Sequence, residues 1–526
     1  MQELPGTTEA PRADMAEEKE GNEGKNKAHQ DTLDWDGPED PDNPRNWSLA
    51  RKWRALGGIS AFVLMSPLSS TIVAPALGQI ADALDITQPA QQTMVVSIFV
   101  LGFAFGPLVA SPLSEIYGRT VIVQTWNLVY LAFNTACGGA RSKESLLVLR
   151  FLAGLFGSAT LGISGGTLGD LFNAKDRGKA VALYSIAVLL GPVLGPILGG
   201  VVSQPLGWAW TFYLASILDA VIQLLSFFLL EETYAPVLLR RRERKRNEAA
   251  GKQYEPEGNP WRHFRTSLSG NLGRAVRLLT TQPLVQVLAL YNAFLYGIIF
   301  ILYTTFSELW MQRYGQSATI AGLHYISMGI GAAFAAEVCT HINDRIYAAL
   351  CDRAHGNGRP EFRIPLMLPL TVVLGAGLFW YGWSAQQHLH WIMPDIGSAL
   401  CMAGAATCAI CVNIYIVDAY GQYAASALAA VAVPRSLASF AFPLFAPYAY
   451  QRLGYGWTGS VLGFCALGIG IPAAVLLWVF GEKLRRRSPY AAMAQVTPSP
   501  LAYPTPPSPR PPGAGIGHKE VLEQRV

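Results

Sequence analysis

Hydrophobic and polar positions along this chain are segregated into long blocks. Apolar runs of about 20 residues, the length that carries an α-helix across ~30 Å of hydrocarbon, recur near 53–77, 92–113, 120–139, 146–171, 179–203, 208–230, 283–306, 319–341, 364–385, 391–416, 424–449 and 458–480. These predict twelve transmembrane helices. A hydrophilic interval, Glu231 to Gln282, contains RRRERKR (Arg240 to Arg246) and divides the runs six and six. The pattern predicts an all-α membrane protein of two similar six-helix bundles, at 47–230 and 283–487. The interval 231–282 is then a central loop, 1–46 a polar disordered tail, and 488–526 a Pro-rich tail. A duplicated half is also the plan of many secondary transporters, with the substrate site between the halves.

Composition agrees and removes other classes. Of 526 residues, 51% are hydrophobic and 14% charged, too apolar for a soluble chain of this length. The net charge is +4, and its Lys and Arg cluster between the apolar runs rather than along one face, which argues against a nucleic-acid partner. Seven cysteines fall mostly inside apolar runs and imply no disulfide framework. Cys408 and Cys411 form a C-x-x-C with no further ligand in register, so packing is favoured over metal, and no cofactor is expected.

Charge does set orientation. With the amino terminus inside, one side carries Arg119, Lys175, Arg177, Lys179, Arg345, Arg353, Arg359, Arg363, Lys483 and Arg485 to Arg487. The other side has Arg141, Lys143, Arg313 and Arg452. The asymmetry predicts both termini and the central loop in the cytoplasm.

Run 5 contains VLLGPVLGPILGG, Val188 to Gly200. Gly191, Gly195 and Gly199 lie four apart and form a flat face for close helix contact, while Pro192 and Pro196 remove backbone hydrogen bonds in the same two turns. The spacing predicts a kinked, close joint, with these glycines packed on the opposite half. This segment resembles the antiporter signature of the major facilitator superfamily, in its drug:proton antiporters. GPLVASPLSEIYGRT (Gly106 to Thr120) resembles the family's loop motif, and RFLAGLFGS (Arg150 to Ser158) its buried-arginine motif. DPDNPRNWS, GWAWTFY, EETYAPVLLRRR, GRPEFRIPL, YIVDAY, AASALAA and FPLFA resemble the fungal twelve-helix branch, over roughly Asp40 to Arg487.

The resemblance implies a monomeric, proton-coupled exporter with a cavity lined by helices 1, 4, 7 and 10. It implies a latch on the cytoplasmic side at Glu115, Gly118 and Arg119, with a degenerate copy at Asp344 and Arg345. Glu115 replaces the usual Asp, and Ile116 and Thr120 stand at basic positions. It also implies proton coupling through Arg150, against which stands a helix-capping role.

An embedded carboxylate, or one beside an arginine, can switch protonation with access. Asp219, Glu337 and Arg435 are the further coupling candidates, with a local hydrogen bond the leading role for Asp219. Asp395 and Asp418, near their helix ends, read as solvated or capping. The chain has no phosphate-loop motif, so a gradient must drive it.

Tyr291, Asn292, Tyr296 and Tyr303 in run 7, Asn413 and Tyr415 in run 10, and Ser70 in run 1 are candidate cavity residues. Residues 292, 296, 299 and 303 share one helical face. Such an aromatic, weakly polar surface suits amphipathic or cationic molecules, such as xenobiotics, antifungals or toxic secondary metabolites. A polyamine-type exporter and an uptake permease for a nutrient or siderophore are the alternatives. A membrane enzyme is disfavoured, since no nucleophile or metal motif is present. The fungal resemblance favours the plasma membrane over the vacuolar membrane.

Overall fold

The computed structural model describes residues 35–494 apart from 38, 173–176, 251–259 and 356–357. Most of both predicted tails, and Lys175, lie outside the described residues. Among the described residues the fold is helical, without strands. Each predicted apolar run falls on a helical segment, and runs 1, 2 and 4 each cross a break between two helices. In chain order the spans are span 1 (Leu49–Ala83), 2 (Pro89–Tyr117), 3 (Arg119–Gly138), 4 (Lys143–Leu171), 5 (Arg177–Leu206) and 6 (Ala209–Leu229). The second set is span 7 (Pro283–Arg313), 8 (Ala318–Arg353), 9 (Pro360–Gln386) and 10 (Ile392–Tyr420), followed by one helix, Ala424–Arg486.

Among the described residues, ten segments are long and apolar enough to cross a membrane. Span 3 is not one of them, because Gln124, Asn127 and Asn134 dilute its apolar run, yet its 20 residues pack against spans 4 and 6. The last helix has 63 residues, which would measure ~95 Å if straight. It reverses instead. Gly454 takes φ 77°, ψ 172°, a conformation open to glycine. The helix starts four residues after span 10 ends, and Arg485 returns to pair with Glu361 at the start of span 9 (3.2 Å). Residues 424–453 are therefore span 11 and 455–486 span 12.

Breaks inside the spans have local causes. Span 1 loses α-helical form after Thr71, where Pro75 supplies no N–H, and a 3-10 turn Ala74–Ala76 follows. The central loop contains two helices, Ala235–Ala249 and Pro260–Thr281, the second lying against span 2 and the Ala424–Arg486 helix.

The end of the tail expected to be disordered is held in place. Asp40 is buried, accepts the backbone N–H groups of Asp36 and Asp42, and takes Arg242 Nη1 at 2.6 Å. That contact holds the Asp40 carboxyl below the usual carboxylate range.

Contacts between spans of the two halves gather at the end remote from the termini. There span 5 meets span 8, the 74–76 turn meets span 7, and Pro89–Gly102 of span 2 meets the Ala424–Arg486 helix.

Candidate functional site

Arg150 on span 4 is fully buried. Its guanidinium donates to the carbonyls of Val95 (3.0 Å), Ser69 (3.0 Å) and Ser70 (3.2 Å) and lies 4.5 Å from the Phe99 ring centroid. Two of those carbonyls sit in the last turn of span 1's α-helix, where the break leaves acceptors without helical donors. The geometry is that of a helix cap made by a cation at a C-terminus. Ser70, a predicted cavity residue, is thus part of this cage, with its hydroxyl turned to the Pro67 carbonyl (2.6 Å).

The same turn leads to a carboxylate. The Ser69 hydroxyl is hydrogen-bonded to Tyr130 on span 3, and Tyr130 is within electrostatic reach of both Arg150 and Asp219. Asp219, fully buried on span 6, accepts Asn127 Nδ2 at 2.8 Å through Oδ2, while its Oδ1 has no partner. Asn127 also donates to Gln223 (3.0 Å), and two turns away Asn134 donates to Ser216 (2.9 Å). Arg150 and Asp219 are therefore brought to opposite ends of a buried polar chain.

Span 5 uses two faces. A Cβ at Gly191, Gly195 or Gly199 would come within 3 Å of span 1 atoms, namely the Leu64, Leu68 and Ile72 carbonyls. The expectation that these glycines pack on the opposite half is corrected here, because span 1 belongs to the same half. The proline spacing explains part of the bond pattern. Pro196 has no N–H to give the Pro192 carbonyl, and the Thr71 hydroxyl of span 1 supplies the donor at 3.1 Å. The second face meets span 8 of the other half. Gly200 lies against the Ala318 carbonyl, Gly322 against the Pro196 carbonyl and Gly329 against Val193. Thr319 Oγ1 donates to the Gly200 carbonyl (3.2 Å) and to Gln204 Oε1 (2.7 Å).

The loop-motif residues are tied by partners other than those the sequence suggests. Arg119 bonds Asp170 of span 4 (3.4 Å) and Ser114 (2.9 Å), not Glu115, whose backbone carbonyl accepts Arg240 (3.3 Å). Gly118 has φ 108°, and Glu232 Oε1 accepts the Arg119 N–H (2.8 Å). In the second half Asp344 pairs with Arg363, which also holds Asp418 at 3.2 Å, whereas Arg345 is exposed. Asp418 is thereby a partner in an ion-pair cluster.

On span 7, Asn292 is fully buried and both of its amide atoms lack a hydrogen-bond partner. Tyr291 turns to Thr371 of span 9 (3.0 Å), and the Tyr303 carbonyl accepts the Tyr325 hydroxyl (2.7 Å). Arg435 stands 4.7 Å over the Tyr296 ring, within electrostatic reach of Tyr184 on span 5. Asn413 is half-buried on span 10. Tyr415 faces Glu361 (3.5 Å), near the Arg485 pair, away from the face of Tyr296. Glu337 is 74% exposed and reaches only His341, one turn on (2.9 Å).

Residues the sequence reading missed are Asn127, Tyr130 and Gln223. Polar residues at 127, 130 and 134 and at 216, 219 and 223 recur at helical spacing, a signal that two polar stripes face each other.

A family model described as Major Facilitator Superfamily matches residues 59–443. The chain is 41% identical over 460 residues to the efflux pump vrtL of Penicillium aethiopicum, covering 88% of this chain and 91% of that protein. It is 43% identical over 457 residues to the uncharacterized transporter C1529.01 of Schizosaccharomyces pombe, covering 86% and 93%. Among solved structures, the inward open conformation of the xylose transporter XylE from E. coli superposes with TM-score 0.62 at 13% identity, covering 82% of this chain and 96% of that one.

Proposed function

The chain belongs to the Major Facilitator Superfamily and is a multi-pass membrane transporter, and from that premise we propose that it is a proton-coupled antiporter exporting small amphipathic molecules. Export draws support from the relatives named as efflux pumps. The observation that carries the proton reading is Asp219: a buried carboxylate with one unpartnered oxygen, bonded to Asn127 and within electrostatic reach of Tyr130, whose hydroxyl bonds Ser69 beside the buried Arg150. A charge in that position is costly, so the carboxylate takes a proton whenever access allows, and losing it restores attraction to Arg150.

With both termini in the cytoplasm, contacts at the far end make this the inward-facing form. A proton and a substrate then favour opposite states of the two halves, each by its difference in affinity for them. Spans 5 and 8 form the joint that must open for release, while the glycine face keeps spans 1 and 5 a rigid pair during rocking.

Aromatic residues of span 7 support an amphipathic substrate. Arg435 over Tyr296 favours neutral or acidic aromatic molecules over a polyamine, since the cation-binding candidate Glu337 points outward. The plasma membrane is the proposed location and a monomer the proposed working unit.

The test is efflux of one cationic and one anionic fluorescent dye from vesicles bearing the chain, with and without a protonophore. Protonophore-sensitive efflux that is lost in Asp219→Asn and in Arg150→Ala is expected. Efflux of equal rate with the gradient collapsed would reject proton coupling.

A further inference from the structure

A second buried ionisable cluster lies between spans 8 and 10, at the end remote from the termini. His324 and Asp395 are each 9% exposed, so Asp395 is neither solvated nor a simple cap. His324 Nδ1 lies 2.7 Å from Asp395 Oδ2, and Nε2 lies 2.8 Å from Gln316 Oε1. The imidazole is stacked on Trp310, with centroids 3.6 Å apart and planes at 8°, and meets Trp391 edge-on at 5.9 Å.

An imidazole with an oxygen at each nitrogen is fully satisfied only as imidazolium, which donates twice. The neutral ring sets one lone pair against an oxygen until the Gln316 amide turns over. Deprotonation also leaves Asp395 as an unpaired buried carboxylate, which is costly. Its Oδ1 lies beside Ser327, whose hydroxyl is committed to the His324 carbonyl and to Ser398, each at 2.7 Å. Proton and ion pair therefore hold each other in place.

The cluster has its own approach. A groove of about 640 Å³ between spans 8 and 10, walled by Ile320, Leu323, Ile330 and Ile392, reaches His324 and Asp395. Spans 8 and 10 are in one half, so rocking of the halves does not carry the pair from one side of the membrane to the other. The other charged or titratable groups nearby are few. Span 7 brings Tyr314 and Arg313, the latter bonded to the Ala385 and Gln386 carbonyls. The loop before span 10 brings His388, bonded to the Arg313 carbonyl, and His390 beside Trp391. Span 5 contributes the uncharged Gln204 and Val193.

We propose that His324, Asp395 and Gln316 form a proton-binding site, separate from the Arg150 and Asp219 chain, whose proton exchanges through this groove. Gln316 stands one turn before Thr319, the residue that bonds span 5, so the site adjoins the joint between the halves.

The Trp310 stack supplies the readout, because an imidazolium quenches a stacked indole more than neutral imidazole does. Tryptophan emission of the purified full chain in lipid nanodiscs is titrated between about pH 8 and pH 5, the range in which histidine changes charge. A quenching transition is expected that His324→Gln abolishes, that Asp395→Asn displaces by about one pH unit or more, and that His388→Gln and His390→Gln leave in place. No substrate is needed, so the result is independent of the export assay. Full amplitude retained in His324→Gln, or no transition in wild-type chain with native helical circular dichroism, overturns the proposal.

Discussion

The two halves bury their charges in different places. In the first half the interior itself is polar: Arg150, Ser69, Tyr130, Asn127 and Asp219 run through its middle, and the apolar residues around them fall into separate clusters. In the second half a single apolar and aromatic cluster runs from Ala275 to Ala491, taking in Val100 of the first half, and the ion pairs stand at its two ends. His324 and Asp395 lie at one end, Asp344, Arg363, Asp418, Glu361 and Arg485 at the other. The two halves therefore resemble each other in their spans and not in what those spans enclose. A half with an ionisable interior can change its charge during a cycle, while a half with an aromatic interior offers a surface for an apolar ligand. In the proposed mechanism that contrast divides proton handling coupled to export, in the first half's interior, from substrate contact, with the proposed His324 and Asp395 site standing apart at one end of the second half.

The largest effect that would sharpen the contrast is on stability. Glu361 and Arg485 are 6% and 8% exposed in their side chains and tie the start of span 9 to the end of span 12. Glu361→Gln leaves a buried guanidinium without its counter-charge, at a cost of about 3–5 kcal/mol. The expected result is a clearly lowered melting temperature in detergent, with the protonophore sensitivity of any remaining export unchanged. Loss of that sensitivity would place proton coupling of export in the Glu361 and Arg485 pair of the second half and break the division.

A smaller effect, of opposite sign, belongs to Asn292. Its amide is buried without a partner, and leaving such a group unsatisfied costs about 1–3 kcal/mol. Asn292→Leu removes the amide at similar volume and is expected to raise the melting temperature while weakening export of whichever dye the wild-type chain carries. A more stable variant with unchanged export would remove Asn292 from substrate contact.

Much of this architecture was legible because membrane helices announce themselves by block length. The run pattern located every span, including the two joined through Gly454, since the polar residues between 449 and 458 interrupt the apolar run whether or not the helix does. Partners were less legible. Four-residue glycine spacing in span 5 marks a close face, but nothing local says whether span 1 or the other half fills it. Arg119 lies four residues from Glu115, yet it bonds Asp170, 51 residues away, because Glu232 already occupies the N-terminus of span 3. His324 and Asp395 are 71 residues apart and share no motif, so only the packing of span 8 on span 10 makes them a pair. The expected central loop contains two helices, which its hydrophilic composition does not announce.

The smallest effect concerns the first half's counterpart of the Glu361 tie. Glu231, at the end of span 6, is bonded to Arg51 and, at 2.9 Å, to Arg54, both at the start of span 1. Arg51 in turn lies 3.9 Å from the Trp47 ring centroid. The hydrogen bond from Arg51 holds the Glu231 carboxyl below the ordinary glutamate range. A carboxylate whose folded value is depressed contributes stability above its unfolded value, near ~4.3, and loses that contribution as pH falls through the lowered folded value. Its side chain is 38% exposed, so solvent screening reduces the contribution to about 0.5 kcal/mol or less. Glu231→Gln is therefore expected to shift the melting temperature slightly at neutral pH, with the difference from wild type shrinking below about pH 4 and in high salt. A loss as large as that of Glu361→Gln would mean that the first half, too, depends on charge at its end, and the contrast would then rest on the interior alone.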